Sequence, residues 1–227
     1  MPEISASILS VKKENAIKTF YNLETAKVNY FHIDVMDGKF VESNTIRDMK
    51  DYSLTISHIT NLGLDVHLMV KNVDEFIDEY LNLTPEYITF HIEAVDGGKD
   101  NIEKIIKKIK DGGSKVGIAI SPNTSIDTIK PFLKYIHMIL IMTVEPGKGG
   151  QKLISKTLTK VKELKKYMRE NNLDFNIEVD GGINDITADE AVKAGADILV
   201  VGSYLIKSKD YASVVRKLKK MEEIEDE

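Results

Sequence analysis

The hydrophobic residues of the chain fall into two kinds of run that alternate along the sequence. Short runs rich in Val, Ile and Leu are typical of buried strands, and longer stretches with apolar residues every three or four positions are typical of helices. The predicted strands are 4–9, 30–36, 64–70, 87–94, 115–121, 138–145, 175–181 and 197–203. The predicted helices include 14–27, 73–83, 101–113, 153–171, 188–196 and 211–223.

This alternation of strand and helix predicts an α/β fold with a parallel sheet, either open or closed into a barrel. The barrel is favoured because polar and ionisable residues gather at the carboxyl ends of several strands, where barrel enzymes build their active sites. No Pro- or Gly-rich linker divides the 227 residues, a length close to the roughly 250 of a typical barrel. We therefore predict a single (β/α)8 TIM-barrel domain over residues 1–227, with an acidic C-terminal tail at 222–227.

The composition of the chain excludes some classes of partner and indicates a cellular compartment. The formal net charge of -5 gives no basic surface for a nucleic-acid backbone. Cysteine is absent, so disulfides and thiolate metal sites are excluded, as suits a reducing cytoplasm. The first residues lack a signal-peptide pattern, and no segment has the roughly 18 apolar residues of a membrane span. These features predict a cytoplasmic protein that binds neither nucleic acid nor membrane.

Polar side chains on three predicted strands form a candidate metal site at the barrel mouth. Alternation along a strand places His32 and Asp34 on one face of HIDVMDG, and His67 on the inward face of DVHLMV. Asp180 precedes a glycine pair in IEVDGGI. Two imidazoles and two carboxylates suit zinc, manganese, cobalt or iron(II), which would act as a Lewis acid on a ketose. The remaining histidines are interpreted as structural or exposed residues: His58, His91 and His137.

Two further groups of residues point to a sugar phosphate as the substrate. Met36, Met69 and Met142 lie on the inward faces of three strands and would form a polarisable wall. Glycine-rich loops follow the last three predicted strands, where barrels commonly bind phosphate through exposed backbone N–H groups. The candidate residues in these loops are Gly149, Gly150, Gln151, Gly181, Gly182, Gly202 and Ser203.

Five segments resemble, in this order, the signature segments of the ribulose-phosphate 3-epimerase family: HIDVMDGKFV, DVHLMV, GIAISPNT, MTVEPGKGGQ and EVDGGI. The resemblance covers residues 4–206. It implies a TIM barrel that inverts C3 of D-ribulose 5-phosphate to give D-xylulose 5-phosphate, a step of the pentose phosphate pathway. It also implies a divalent metal ion, no organic cofactor and a homo-oligomer.

The resemblance assigns roles to individual residues. The metal ligands would be His32, Asp34, His67 and Asp180. Asp34 and Asp180 would also be the acid/base pair, one for each face of the sugar, acting through an enediolate, since inversion needs a base on one side and an acid on the other. The implied substrate contacts are Ser7, His67, Met36, Met69 and Met142, and the phosphate would lie against Gly150, Gly182, Gly202 and Ser203.

Three departures from the family pattern surround the expected pocket. Lys148 stands where an aromatic residue is usual, Glu42-Ser43-Asn44 replaces Pro-Asn, and GSYLI replaces GSAIF. They leave open a six-carbon substrate such as D-allulose 6-phosphate, with Lys148 and Tyr204 as the positions where the pocket would differ. A related phosphate-binding barrel lyase is disfavoured because no lysine lies between the aspartates of HIDVMDG. A non-catalytic barrel is disfavoured because the His/Asp set is complete.

Overall fold

Eight strands, each parallel to its neighbours, follow one another around a closed barrel. The computed structural model describes residues 1–219. The first strand pairs with both the second and the eighth, which closes the ring and confirms the predicted (β/α)8 fold. The strands are β1 (Glu3–Ser7), β2 (Tyr30–Met36), β3 (Gly63–Met69), β4 (Tyr87–His91), β5 (Lys115–Ile120), β6 (Met138–Met142), β7 (Asn176–Asp180) and β8 (Ile198–Val201).

Helices surround the barrel and cover its outer face. Within the described residues they are α1 (Ala16–Thr25), α2 (Ile46–Ile59), α3 (Val73–Leu81), α4 (Gly98–Asp111), α5 (Leu158–Asn171), α6 (Thr187–Ala194), α7 (Ser203–Ile206) and α8 (Tyr211–Lys219). Two short 3-10 helices, Ile126–Thr128 and Lys130–Tyr135, connect β5 to β6. No helix within residues 1–219 is both long and apolar enough to cross a membrane. The predicted acidic tail, and with it the end of helix 211–223, lies outside the described residues, and the single-domain organisation stays a prediction.

Four predicted strands extended two or more residues too far at the carboxyl end, and two helices were not predicted. The strands predicted at 4–9 and 197–203 end at Ser7 and Val201. The strands predicted at 87–94 and 138–145 end at His91 and Met142, because the chain leaves the barrel there to form the loops of the mouth. Ile92–Ala94 is a 3-10 turn instead. The unpredicted helices are the four-residue α7 and the longer α2. The buried face of α2 is only partly apolar: Met49, Tyr52, Ser53 and Ile56.

Alternation along the strands separates an apolar outer layer from a partly polar interior. On β2, Phe31, Ile33 and Val35 belong to the large core between barrel and helices, whereas His32 and Asp34 belong to the interior. At the amino-terminal end of the barrel, four side chains from alternate strands pack together, as is usual for layers inside this fold. These four residues are Tyr30, Tyr87, Met138 and Ile198. They fill that end of the barrel, so chemistry is confined to the other end.

Candidate active site

Four side chains from three strands meet at the carboxyl end of the barrel. One ligand-type atom of each of His32, Asp34, His67 and Asp180 lies within 4.8 Å of the others. Asp34 Oδ1 is 3.4 Å from both His32 Nε2 and His67 Nδ1. Asp180 Oδ2 is 3.9 Å and 3.7 Å from the same two nitrogens. Parallel register places Asp34 opposite His67 on the neighbouring strand, and barrel closure brings β7 to this group.

The cluster has the properties of a cation site. His32 Nε2 and His67 Nδ1 are buried and have no hydrogen-bond partner, which is costly for a buried ring nitrogen. Both nitrogens face the carboxylates of Asp34 and Asp180 across distances longer than ordinary hydrogen bonds but short enough for a shared ion. Two nitrogen and two oxygen donors suit a borderline divalent metal. The residues present therefore fit such an ion.

Hydrogen bonds from surrounding side chains hold two members of the cluster. Ser7 Oγ donates to Asp34 Oδ2 at 2.8 Å, which leaves Asp34 Oδ1 directed toward the histidines. His32 Nδ1 lies 2.6 Å from Asp65 Oδ2, the carboxylate opposite it in register on β3. Asp65 and the fully buried Glu178 beside it had no predicted role. Each lies two residues before a predicted ligand on the same strand, and this spacing was the available signal.

Burial and neighbouring charges shift the pKa values of the residues in the cluster. Burial alone would lower the pKa of His32, but the carboxylates of Asp65 and Asp34 outweigh it and raise that pKa well above its usual value. Burial alone would raise the pKa of Asp34, but His32 and His67 hold it well below its ordinary range. Burial and the charge of Asp34 raise the pKa of Asp180 to about 7. One carboxyl is therefore firmly ionised, and the other exchanges its proton near neutral pH.

A third buried histidine contacts the cluster from outside. His91 is fully buried at the end of β4, and its Nε2 lies 2.9 Å from His67 Nε2. Its Nδ1 lies 3.1 Å from Glu93 Oε2. Burial lowers the pKa of His91 to about 4. His91 is thus a core residue, as interpreted from the sequence, yet it touches a member of the site. The other two histidines have purely local roles: His58 bonds Leu54 O within α2, and His137 Nδ1 accepts from Val116 N–H.

A cavity of about 490 Å³ opens above the cluster. Asp34 and Asp180 line it, whereas His32 and His67 are fully buried and absent from its lining. Apart from His67, the structure brings every predicted substrate-contacting residue to this cavity: Ser7, Met36, Met69, Met142, Gly149, Gly150, Gln151, Gly181, Gly182, Gly202 and Ser203. The three methionines are almost completely buried, so they present an apolar wall next to the carboxylates.

The glycine-rich loops after β6, β7 and β8 converge at one part of this cavity. A Cβ at Gly150 would lie 3.8 Å from Ser203 Oγ, and one at Gly202 would lie 3.4 Å from Ser7 Cβ. A Cβ at Gly182 would lie 2.3 Å from the backbone nitrogen of Leu153. The approach at Gly182 leaves no room for a side chain. Together the three contacts join loops that the sequence alone could only place after separate strands. The helix α7 begins at Ser203, and no side chain caps its start.

The positions that depart from the family pattern lie at the rim. Lys148 and Tyr204 both line the cavity. Lys148 Nζ is 3.5 Å from Glu42 Oε2, and both side chains are largely exposed. Ser43 Oγ donates to Gly147 O at 2.7 Å, so the replaced segment after β2 is tied to the loop after β6. These departures alter the entrance and leave the His/Asp cluster untouched.

Comparison with known proteins identifies the family. A profile described as the ribulose-phosphate 3 epimerase family matches residues 3–206 of the chain. The chain belongs to this family. It is 41% identical over 219 residues to ribulose-phosphate 3-epimerase of Methanocaldococcus jannaschii, covering 96% of this chain and 90% of that protein. It is 34% identical over 220 residues to the Bacillus subtilis enzyme, covering 96% and 99%. The predicted resemblance is confirmed, and the protein is an enzyme of the epimerase kind.

Solved structures with more distant sequences share the fold. KGPDC from Streptococcus mutans superposes with a TM-score of 0.71 at 13% identity, over 97% of this chain and 96% of that chain. The 3-hexulose-6-phosphate synthase from Salmonella typhimurium gives a TM-score of 0.68 at 17% identity, over 96% and 97%. At these identities the likeness concerns the fold alone, and it agrees with the closed barrel described above.

Proposed function

We propose that the protein inverts C3 of D-ribulose 5-phosphate to give D-xylulose 5-phosphate, in a reaction that requires a divalent metal ion and no organic cofactor. One observation carries the proposal: two unpartnered imidazole nitrogens and two carboxylates converge below a cavity that three glycine-rich loops surround. Membership of the epimerase family supports the reaction type, and the names of its relatives support a pentose phosphate as substrate.

The metal ion would be held by His32 Nε2, His67 Nδ1 and one oxygen each of Asp34 and Asp180. A bound ion would supply Lewis-acid charge that stabilises negative charge on substrate oxygens and so makes the C3 proton easier to remove. The donor set accepts zinc, manganese, cobalt or iron(II). His32 must give up its proton to serve as a ligand.

Asp34 and Asp180 supply the proton transfers. They approach from β2 and β7, which are separated in the ring by β8 and β1, so they can address different faces of a bound sugar. One carboxylate removes the C3 proton to leave an enediolate, and the other, protonated, delivers a proton to the opposite face. Ser7 holds Asp34 in place through one oxygen. The three methionines keep water from the reacting carbon.

Backbone N–H groups of the glycine-rich loops would bind the phosphate. Gly150, Gly182, Gly202 and Ser203 line one part of the cavity, and their lack of bulky side chains lets an anion approach the backbone. The first N–H groups of a helix have no partner within the helix and attract anions. The phosphate would therefore anchor the sugar with its C3 above the two carboxylates.

The wider setting of the enzyme is also a proposal. The proposal is a cytoplasmic enzyme without a membrane partner, and the net charge of -5 argues against a nucleic-acid partner. Exposed apolar side chains on neighbouring helices, Ile17 and Tyr21 on α1 and Leu54 on α2, support association into a homo-oligomer.

Proton NMR in D₂O tests the proposed function. Metal-supplemented protein is mixed with D-ribulose 5-phosphate and, in parallel, with D-allulose 6-phosphate, and loss of the C3–H signal and product formation are followed. We expect faster conversion of the five-carbon sugar, with deuterium entering at C3, and no conversion after chelation. Preference for the six-carbon sugar would transfer the function to a hexulose phosphate. Absence of exchange with either sugar would contradict the proposal.

A further inference from the structure

A chain of buried hydrogen bonds leads from His67 away from the cavity. His67 Nε2 lies 2.9 Å from His91 Nε2, and His91 Nδ1 lies 3.1 Å from Glu93 Oε2. Glu93 Oε1 accepts hydrogen bonds from the backbone N–H of Ser121, at 2.8 Å, and from the hydroxyl of Thr124. Neither His91 nor Glu93 lines the cavity, so neither can touch a bound substrate.

Glu93, at the far end of this series of hydrogen bonds, determines which nitrogen of each imidazole carries the proton. A carboxylate only accepts hydrogen bonds, so the proton between Glu93 and His91 belongs to His91 Nδ1. A neutral His91 then has its lone pair on Nε2, and burial disfavours the charged ring. The contact between the two Nε2 atoms needs one proton, which His67 must donate. His67 is left with a lone pair on Nδ1, the atom that faces Asp34 and Asp180.

We propose that His91 and Glu93 are positioning residues that hold His67 in the tautomer whose Nδ1 lone pair points into the metal site. The proposal rests on the proposed function in one respect, that His67 is a metal ligand. The outer partner of a metal-binding imidazole commonly fixes its tautomer and ring orientation. Here the imidazole of His91 lies between His67 and Glu93, so Glu93 determines the tautomer of His67 through the tautomer of His91.

The surroundings keep the chain of hydrogen bonds rigid. Ser121 and Thr124, which hydrogen-bond Glu93, lie in segment 121–124. Lys160 Nζ on α5 donates to three carbonyl oxygens of this segment: Ser121 O at 2.9 Å, Pro122 O at 2.7 Å and Thr124 O at 2.7 Å. The ring of Phe40 packs against His91 with centroids 4.9 Å apart. The rings of His67 and His91 meet edge to edge through their Nε2 atoms, with centroids 5.1 Å apart and planes inclined by 25°. The two imidazoles therefore have little freedom to turn and change partners.

The substitution Glu93→Gln should reverse the tautomers of His91 and His67 while keeping the shape of the side chain at position 93. The N–H of Ser121 can only donate, so it holds the new amide oxygen and turns the NH₂ group toward His91 Nδ1. His91 Nδ1 must then accept, its Nε2 donates to His67 Nε2, and the proton of His67 moves to Nδ1. Glu93→Ala, in contrast, removes the carboxylate that ends the hydrogen-bond series and favours neither tautomer of the two imidazoles.

Calorimetric titration of the metal-free variants with Mn²⁺ or Zn²⁺ measures the consequence. We expect Glu93→Gln to weaken metal binding about 10- to 100-fold, at least as much as Glu93→Ala does. A role in packing alone predicts the opposite order, because the isosteric variant disturbs packing less. Glu86→Gln makes the same chemical change at the other end of β4, where Glu86 pairs with Lys115, and should leave the affinity unchanged. A milder effect of Glu93→Gln than of Glu93→Ala would overturn the proposal.

Nitrogen-15 NMR of the imidazoles in the metal-free protein provides a second readout. We expect an unprotonated Nδ1 on His67 in the unsubstituted protein and a protonated one in Glu93→Gln. A protonated Nδ1 in the unsubstituted protein would overturn the proposal even if the variants failed to fold. If the protein binds no metal at all, the proposed function fails, while the nitrogen spectrum still decides the tautomer of His67.

Discussion

Replacement of Gly182 by alanine tests whether the loop after β7 binds the phosphate. Gly182 has a φ of +70°, and a Cβ there would lie 2.3 Å from the backbone nitrogen of Leu153 and 3.0 Å from the carbonyl oxygen of Gln151. Heavy atoms in contact normally stay about 3.5 Å apart or more, so one backbone segment must move by roughly 1 Å. Both segments line the cavity, and the movement would displace the N–H groups proposed to bind the phosphate.

The expected size of the effect has two parts. Alanine in the left-handed region costs about 1–2 kcal/mol of folding free energy relative to glycine. A hydrogen bond to a charged group contributes about 1.5–3 kcal/mol, and each 1.4 kcal/mol is about tenfold in binding. Loss of one N–H bond to the phosphate should therefore raise KM about 10- to 100-fold. We expect a smaller change in kcat, because Asp34 and Asp180 stay in place.

Initial epimerisation rates, together with inhibition by inorganic phosphate, measure the loss. Gly98→Ala is the matched control, since Gly98 has a φ of +73° with no atom within 4 Å of the added Cβ, at the start of α4. It should lose similar stability in urea and keep its KM. A folded Gly182→Ala variant with KM and phosphate inhibition within about twofold of the unsubstituted enzyme would refute the reasoning.

The remaining predictions concern charge, metal and core. In the metal-free protein, burial and the charge of Asp34 raise the folded-state pKa of Asp180 to about 7, so ionisation destabilises the fold between about pH 4 and pH 7. Asp180→Asn removes this penalty, so its stability advantage over the unsubstituted protein should grow across this window and reach on the order of 4 kcal/mol at pH 7 in urea denaturation. A difference independent of pH would contradict this. The same variant, with metal added, should lower kcat about 100- to 10,000-fold in the NMR assay. Metal at about 100 times its Kd should stabilise the protein by about 2.7 kcal/mol in scanning calorimetry, and His32→Ala should lose this gain. Phe20→Ala should cost about 3–5 kcal/mol in urea denaturation because Phe20 is fully buried, whereas Tyr21→Ala, at a half-exposed position, should cost much less; equal losses would contradict this.

The strands were predictable from the sequence because strands of a parallel barrel are buried on both faces. Their Val- and Ile-rich runs stand out from the amphipathic helices. The helix α2 was not recognised, although its buried residues have helical spacing, because Tyr52 and Ser53 interrupt the apolar pattern. Propensity and pattern cannot show that the hydroxyl of Ser53 is satisfied by Met49 O inside the helix.

The candidate site was predictable as far as one strand determines its own faces. Alternation gave His32, Asp34 and His67 without any knowledge of their neighbours. The contact between His32 and Asp65 depends on the register of β2 against β3, and the sequence does not encode that register in any local pattern. The contact of His67 with His91 depends further on the orientation of two rings. Relations between strands were therefore the part that needed the structure.

Closure of the barrel between β1 and β8 has a consequence for the order of events during synthesis of the chain. Ala6 pairs with Val201, so this ladder joins segments from the two ends of the described residues and closes the longest loop in the fold. In an open sheet, β7 and β2 would lie near opposite edges, and Asp180 would be remote from His32. A nascent chain whose last strand is still inside the ribosome thus has the ligands but lacks the site. Activity recovered during refolding is a direct report that the two ends of the barrel have met.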